Sequence, residues 1–125
     1  MLGDHERCQV VLVTVPETTP VNELLETIDL LRARVDVRLG PVVVNQLDDA
    51  SPLPDPAAVS FGRTRTHVDD ARAAAEFRRI HRSGQAEELA RLSKHVGIGQ
   101  LQLPAIPSAD LEPGDIERLA AGLPR

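Results

Sequence analysis

Two apolar runs without polar alternation, Val10-Val11-Leu12-Val13-Thr14-Val15 and Val42-Val43-Val44-Asn45-Gln46-Leu47, bracket a stretch of helical periodicity, and this arrangement constrains the fold most. β-Branched side chains favour extended backbone, and continuous apolar character marks strands buried on both faces of a parallel sheet. The first strand is expected over residues 9–15, ended by Pro16. Between the runs, Val21, Leu24, Leu25, Ile28, Leu31 and Val35 form one apolar stripe, which predicts an amphipathic helix over 20–35. Thr18-Thr19-Pro20 offers a capping hydroxyl and a proline at the first helical position, and Glu23 and Glu26 suit the positive end of the dipole. Leu39-Gly40-Pro41 punctuates before the second run. Strand, helix and strand on short connections make a βαβ unit, with parallel strands and a right-handed crossover.

Residues 48–66 hold Asp48-Asp49, four hydroxyl residues and Pro52, Pro54 and Pro56, the chemistry of an irregular loop. From 67 to 95 the chain turns to Ala, Arg, Glu and Leu, a helical segment expected to face Val68, Ala71, Ala75, Phe77, Ile80, Leu89 and Leu92 inward. Ser83-Gly84 would interrupt it, giving a helical pair or one kinked helix. Gly97 and Gly99 stop that helix before a third strand, Gln100-Leu101-Gln102-Leu103, and a last helix over 113–122 starts at Pro113 and would bury Ile116, Leu119 and Leu123. The order βαβαβα reads as α/β, three-layer, with a mainly parallel sheet of about three strands. At 125 residues this is one α/β domain or part of one, spanning 1–125.

Composition removes several function classes. A net charge of −5 argues against a general affinity for nucleic acid or anionic lipid. Phe61 and Phe77 are the only aromatics, too few for a base-stacking platform. Residues 63–95 carry eight basic and five acidic side chains, either a solvated helical face or a patch for a partner or phosphate. Cys8 is the single cysteine, so neither an internal disulfide nor a cysteine zinc cage can form, and His5, His67, His81 and His95 lack metal-ligand spacing. Residues 1–7 are polar and charged rather than signal-like, and no apolar run reaches membrane-spanning length, which predicts a cytoplasmic protein without stable membrane insertion.

Parallel sheets bind ligands beyond the carboxyl ends of their strands. Pro16-Glu17-Thr18-Thr19, Asn45-Gln46 and the segment 104–108 occupy those positions. An asparagine leaving a buried strand either presents its carboxamide to a purine edge or merely satisfies backbone groups at the junction. Glu17 either faces a ligand or complements the helix dipole, and the prolines at 104 and 107 either stop a strand or wall a planar ring. No phosphate loop of the type G-x-x-x-x-G-K-[ST] occurs, because the only lysine, Lys94, follows Ser93 in a helical stretch. Gly97-x-Gly99 is an incomplete dinucleotide fingerprint, and no G-x-S-x-G elbow is present.

The strings Val11-Leu12-Val13-Thr14-Val15-Pro16-Glu17-Thr18-Thr19-Pro20 and Leu39-Gly40-Pro41-Val42-Val43-Val44-Asn45-Gln46-Leu47 resemble the C-terminal half of the ArsA/Get family, the arsenite-pump and tail-anchored-protein-targeting ATPases. These are deviant P-loop proteins that work as dimers. The resemblance covers residues 5–47 and, more weakly, 99–123. It implies adenine recognition by Asn45 with Gln46 beside it, a nucleotide-side loop at Pro16 and Glu17, and closure over the base by Pro104, Ile106 and Pro107. It implies ATP as ligand only together with the missing N-terminal half, Mg2+ not bound by this chain alone, and as partner that half or a second copy. No catalytic or metal-ligating residue carries over, since the family's phosphate loop and zinc cysteines have no counterpart here. Phosphoryl transfer depends on positioning and electrostatics around the phosphates, so this chain alone is expected not to hydrolyse ATP. The alternative is a truncated, non-catalytic protein-interaction module.

Overall fold

The computed structural model describes residues 8–48, 65–106 and 109–124. Most of the expected 48–66 loop, and Pro107, lie outside the described residues. In chain order the elements are β1 (Gln9–Val10), β2 (Val13–Thr14), α1 (Thr18–Arg34), β3 (Arg38–Leu39), β4 (Val42–Leu47), α2 (Arg65–Val96), β5 (Gln100–Pro104) and α3 (Pro113–Ala121).

All strand pairs are parallel, as β1 with β3 and in the order β2-β4-β5. The first expected strand is thus divided into β1 and β2, and its partner shows why. Val10 and Leu12 accept from Gly40 N and Val43 N at 2.8 and 2.9 Å, so acceptors two residues apart meet donors three apart. The extra residue is a bulge beside Pro41, which has no N–H to give the ladder. Register moves with it, from Val10↔Leu39 to Val13↔Val43.

The strands β2, β4 and β5 lie side by side in chain order, so right-handed crossovers carry both intervening helices to one face. Helices α1 and α2 accordingly pack on each other in parallel. Thr18 Oγ1 donates to Glu88 Oε1 at 3.0 Å, Arg91 donates to Asn22 Oδ1, and Arg32 donates to the Val96 carbonyl at 3.1 Å. Between these helices and the sheet sits the buried core of Val21, Leu24, Ile28, Val42, Val44, Leu92 and Val96. The apolar stripe of α1 is therefore placed as expected, although that helix starts at Thr18, and the Thr18 hydroxyl serves Glu88 rather than capping the helix.

The opposite face departs from the three-layer expectation. Val11 and Val13 are 49% and 63% exposed there, and Val43 and Leu101 share the register of Val13 while only half-buried. Helix α3 approaches this sheet near Leu103, beside Gly122. It buries no residue fully: Ile116 and Leu123 are exposed, contrary to expectation, and Leu119 is half-buried. A capping box between Glu112 and Asp115, with Pro113 in the first turn, sets its start.

Helix α2 is continuous over 32 residues, with no interruption at Ser83-Gly84. At 1.5 Å per residue it runs about 48 Å, whereas the six residues of β4 span about 20 Å. Its N-terminal part outruns the sheet. Phe77 and Ile80, expected inward, are exposed, because at that level the helix turns Arg78 toward Asp48. Ala71, Ala75, Leu89 and Leu92 face inward as expected, joined by Arg78, Gln85 and Val96, and the side chain of Val68 lies outside the described residues. No helix among the described residues is long and apolar enough to cross a membrane.

Candidate functional site

Beyond the carboxyl ends of the strands lies a cavity of about 490 Å³, within the usual size range of small-molecule sites. Pro16 and Glu17 reach it from the exit of β2, Asn45 and Gln46 from β4, and Pro104 and Ile106 from the end of β5. Six of the seven residues singled out in the sequence thus share one concave wall, and Pro107 lies outside the described residues. Val15, Ala105, Leu111 and Leu119 add apolar surface.

The Asn45-Gln46 corner is a second bulge. Register passes from Val44↔Gln102 to Leu47↔Pro104, so β4 spends one residue more than β5. Gln46 takes up the excess with φ +59°, a left-handed conformation that costs a non-glycine residue about 1–2 kcal/mol. Asn45 Oδ1 accepts from the Gln46 N–H at 2.9 Å, so the carboxamide does satisfy backbone at the junction. One lone pair of that oxygen is thereby used, while an amide carries two acceptor positions and two donor hydrogens. Enough capacity remains for a purine edge.

Helix α2 holds the corner from behind. Gln85, only 5% exposed, accepts from the Asp48 N–H at 3.0 Å through Oε1. Its Nε2 then faces the Gln46 carbonyl at 3.5 Å and His81 Nε2 at 3.1 Å. Because the Asp48 N–H can only donate, the amide cannot turn round; His81 Nε2 must accept, which leaves the ring proton on Nδ1. The imidazole stacks on Phe77, with centroids 6.3 Å apart and planes 8° from parallel. One turn away, Arg78 forks onto Asp48, Nε to Oδ2 and Nη2 to Oδ1 at 2.7 Å each. Such bidentate pairs fix geometry as well as charge.

His81 and Gln85 line the cavity, and neither is among the expected site residues. The signal that could have found them is the spacing of Arg78, His81 and Gln85, three and four apart on one side of a helix. Among the described residues no group of three or more His, Cys, Asp or Glu side chains could hold a metal ion, and Cys8 is a free, half-buried thiol. Asn45 also borders a second cavity of about 400 Å³ beside β2 and α1, with Val13, Pro20 and Leu24. The chain matches no family model and no curated protein.

Proposed function

We propose that this chain supplies the base-recognition wall of an ArsA/Get-like nucleotide-binding fold and does not hydrolyse ATP by itself. The supporting observation is the convergence of Asn45, Gln46, Pro16, Glu17, Pro104 and Ile106 on one cavity at the ends of parallel strands. Asn45 offers the hydrogen-bonding edge, accepting from an exocyclic amine and donating to a ring nitrogen as a carboxamide does when it reads adenine. Pro16, Pro104 and Ile106 offer apolar surface to the planar ring. A phosphate loop and magnesium would come from a separate N-terminal half. Adenosine is expected to bind more tightly than guanosine, and Asn45→Ala to weaken adenosine by about 1–3 kcal/mol, or roughly 5- to 150-fold. Isothermal titration calorimetry checks both, and equal affinity of the wild type and the variant for adenosine contradicts the proposal.

A second reading, an interaction module without nucleotide chemistry, is favoured by one observation. The sheet face away from α1 and α2 leaves Val11 and Val13 exposed.

A further inference from the structure

We infer that the cavity takes the uncharged heteroaromatic end of its ligand and turns phosphates away, so the chain binds a nucleoside more tightly than the corresponding triphosphate. This rests on the nucleoside reading above and adds the charge class of the ligand. Among the described residues that line the cavity, Glu17 is the only charged side chain of fixed sign, and none is arginine or lysine. Asn45, Gln46 and Gln85 contribute neutral amides. His81 presents an accepting Nε2 to Gln85, with its proton on Nδ1.

The neighbouring groups lean the same way. Helix N-termini ordinarily attract anions, but Glu17 stands at the N-cap of α1, and Glu88, which accepts from Thr18 in its first turn, already neutralises Arg91 at 3.3 Å. Pro20 has no N–H to offer there, and the Val21 N–H is spent on the Glu17 carbonyl at 3.0 Å. Arg78, three residues before His81 on α2, is held by both oxygens of Asp48. A triphosphate drawn into this wall would meet the Glu17 carboxylate and no arginine or lysine among the described lining residues.

Adenosine, AMP and magnesium-free ATP titrated into the full 125-residue chain at physiological salt separate the cases. Calorimetry or amide NMR serves, because the chain has no Trp or Tyr for intrinsic fluorescence. The expected order is adenosine, AMP, ATP in falling affinity, with ATP at least about threefold weaker than adenosine and the gap widening at low salt. Glu17→Gln is expected to narrow the ratio of ATP to adenosine affinity by roughly threefold or more. Equal or tighter binding of ATP, or a ratio unmoved by Glu17→Gln, overturns the inference while leaving the nucleoside reading intact. If no nucleoside binds at all, the nucleoside reading fails and this inference falls with it.

Discussion

Asn45 shows how one side chain can carry both of the roles its position suggests. Its Oδ1 secures the Gln46 N–H while the rest of the carboxamide remains available to the cavity. The placement of Asn45 was legible in the sequence because a polar residue closing a β-branched run must emerge at the strand end. The left-handed Gln46 was not, since glutamine has no special preference for positive φ and only the uneven register of β4 and β5 demands it. Gln85 was not legible for another reason: a buried glutamine looks like any surface residue until its partners are known. Gln85→Met keeps the volume but leaves the Asp48 N–H without its acceptor, and is expected to cost about 1–3 kcal/mol in urea denaturation. The same variant should release His81 from its single tautomer, read from the ring nitrogen shifts by long-range ¹H–¹⁵N correlation. A stability loss below about 0.5 kcal/mol, with an unchanged tautomer, would contradict the clamp.

At the scale of elements, α1 followed its apolar stripe, whereas the longer helix α2 did so only at Ala71, Ala75, Leu89 and Leu92. Apolar character alone points Phe77 and Ile80 inward, yet the face that meets the protein carries Arg78 between them and Gln85 further along. Polar inward residues are permitted there because they serve the backbone and carboxylate at the exit of β4 rather than a dry core. Gly84 does not break the helix, since its cost of about 1 kcal/mol is smaller than what the packing of Leu89, Leu92 and Val96 contributes. A methyl group added at Gly84 meets no atom within 4 Å. Gly84→Ala is therefore expected to stabilise the chain by about 0.5–1 kcal/mol and leave adenosine affinity unchanged, as measured by thermal unfolding and calorimetry. Destabilisation would mean that α2 bends at this point in solution.

For the whole molecule, the parallel α/β class was readable from two β-branched runs around one helix, but the number of layers was not. Layer count depends on strand order, and a sheet built in chain order gathers its crossover helices on one side. The continuous apolar character of Val10 to Val15 thus reports a face that α1 and α2 do not cover. Exposed contiguous apolar surface promotes association. The chain is expected to self-associate with rising concentration in sedimentation velocity, and Val13→Lys to suppress this with a stability change within about 0.5 kcal/mol. A monomer at all concentrations would remove the support for the interaction-module reading.

The site at the strand ends is tested most directly by titrating adenosine into ¹⁵N-labelled protein and following the Asn45 carboxamide signal. The expected result is a saturable shift of that signal, accompanied by shifts of Gln46, His81 and the residues around Pro104 and Ile106, with those accompanying shifts lost in Asn45→Ala. No saturable shift, or shifts confined to Val11, Val13 and Val43 on the uncovered face, would contradict base recognition at this cavity.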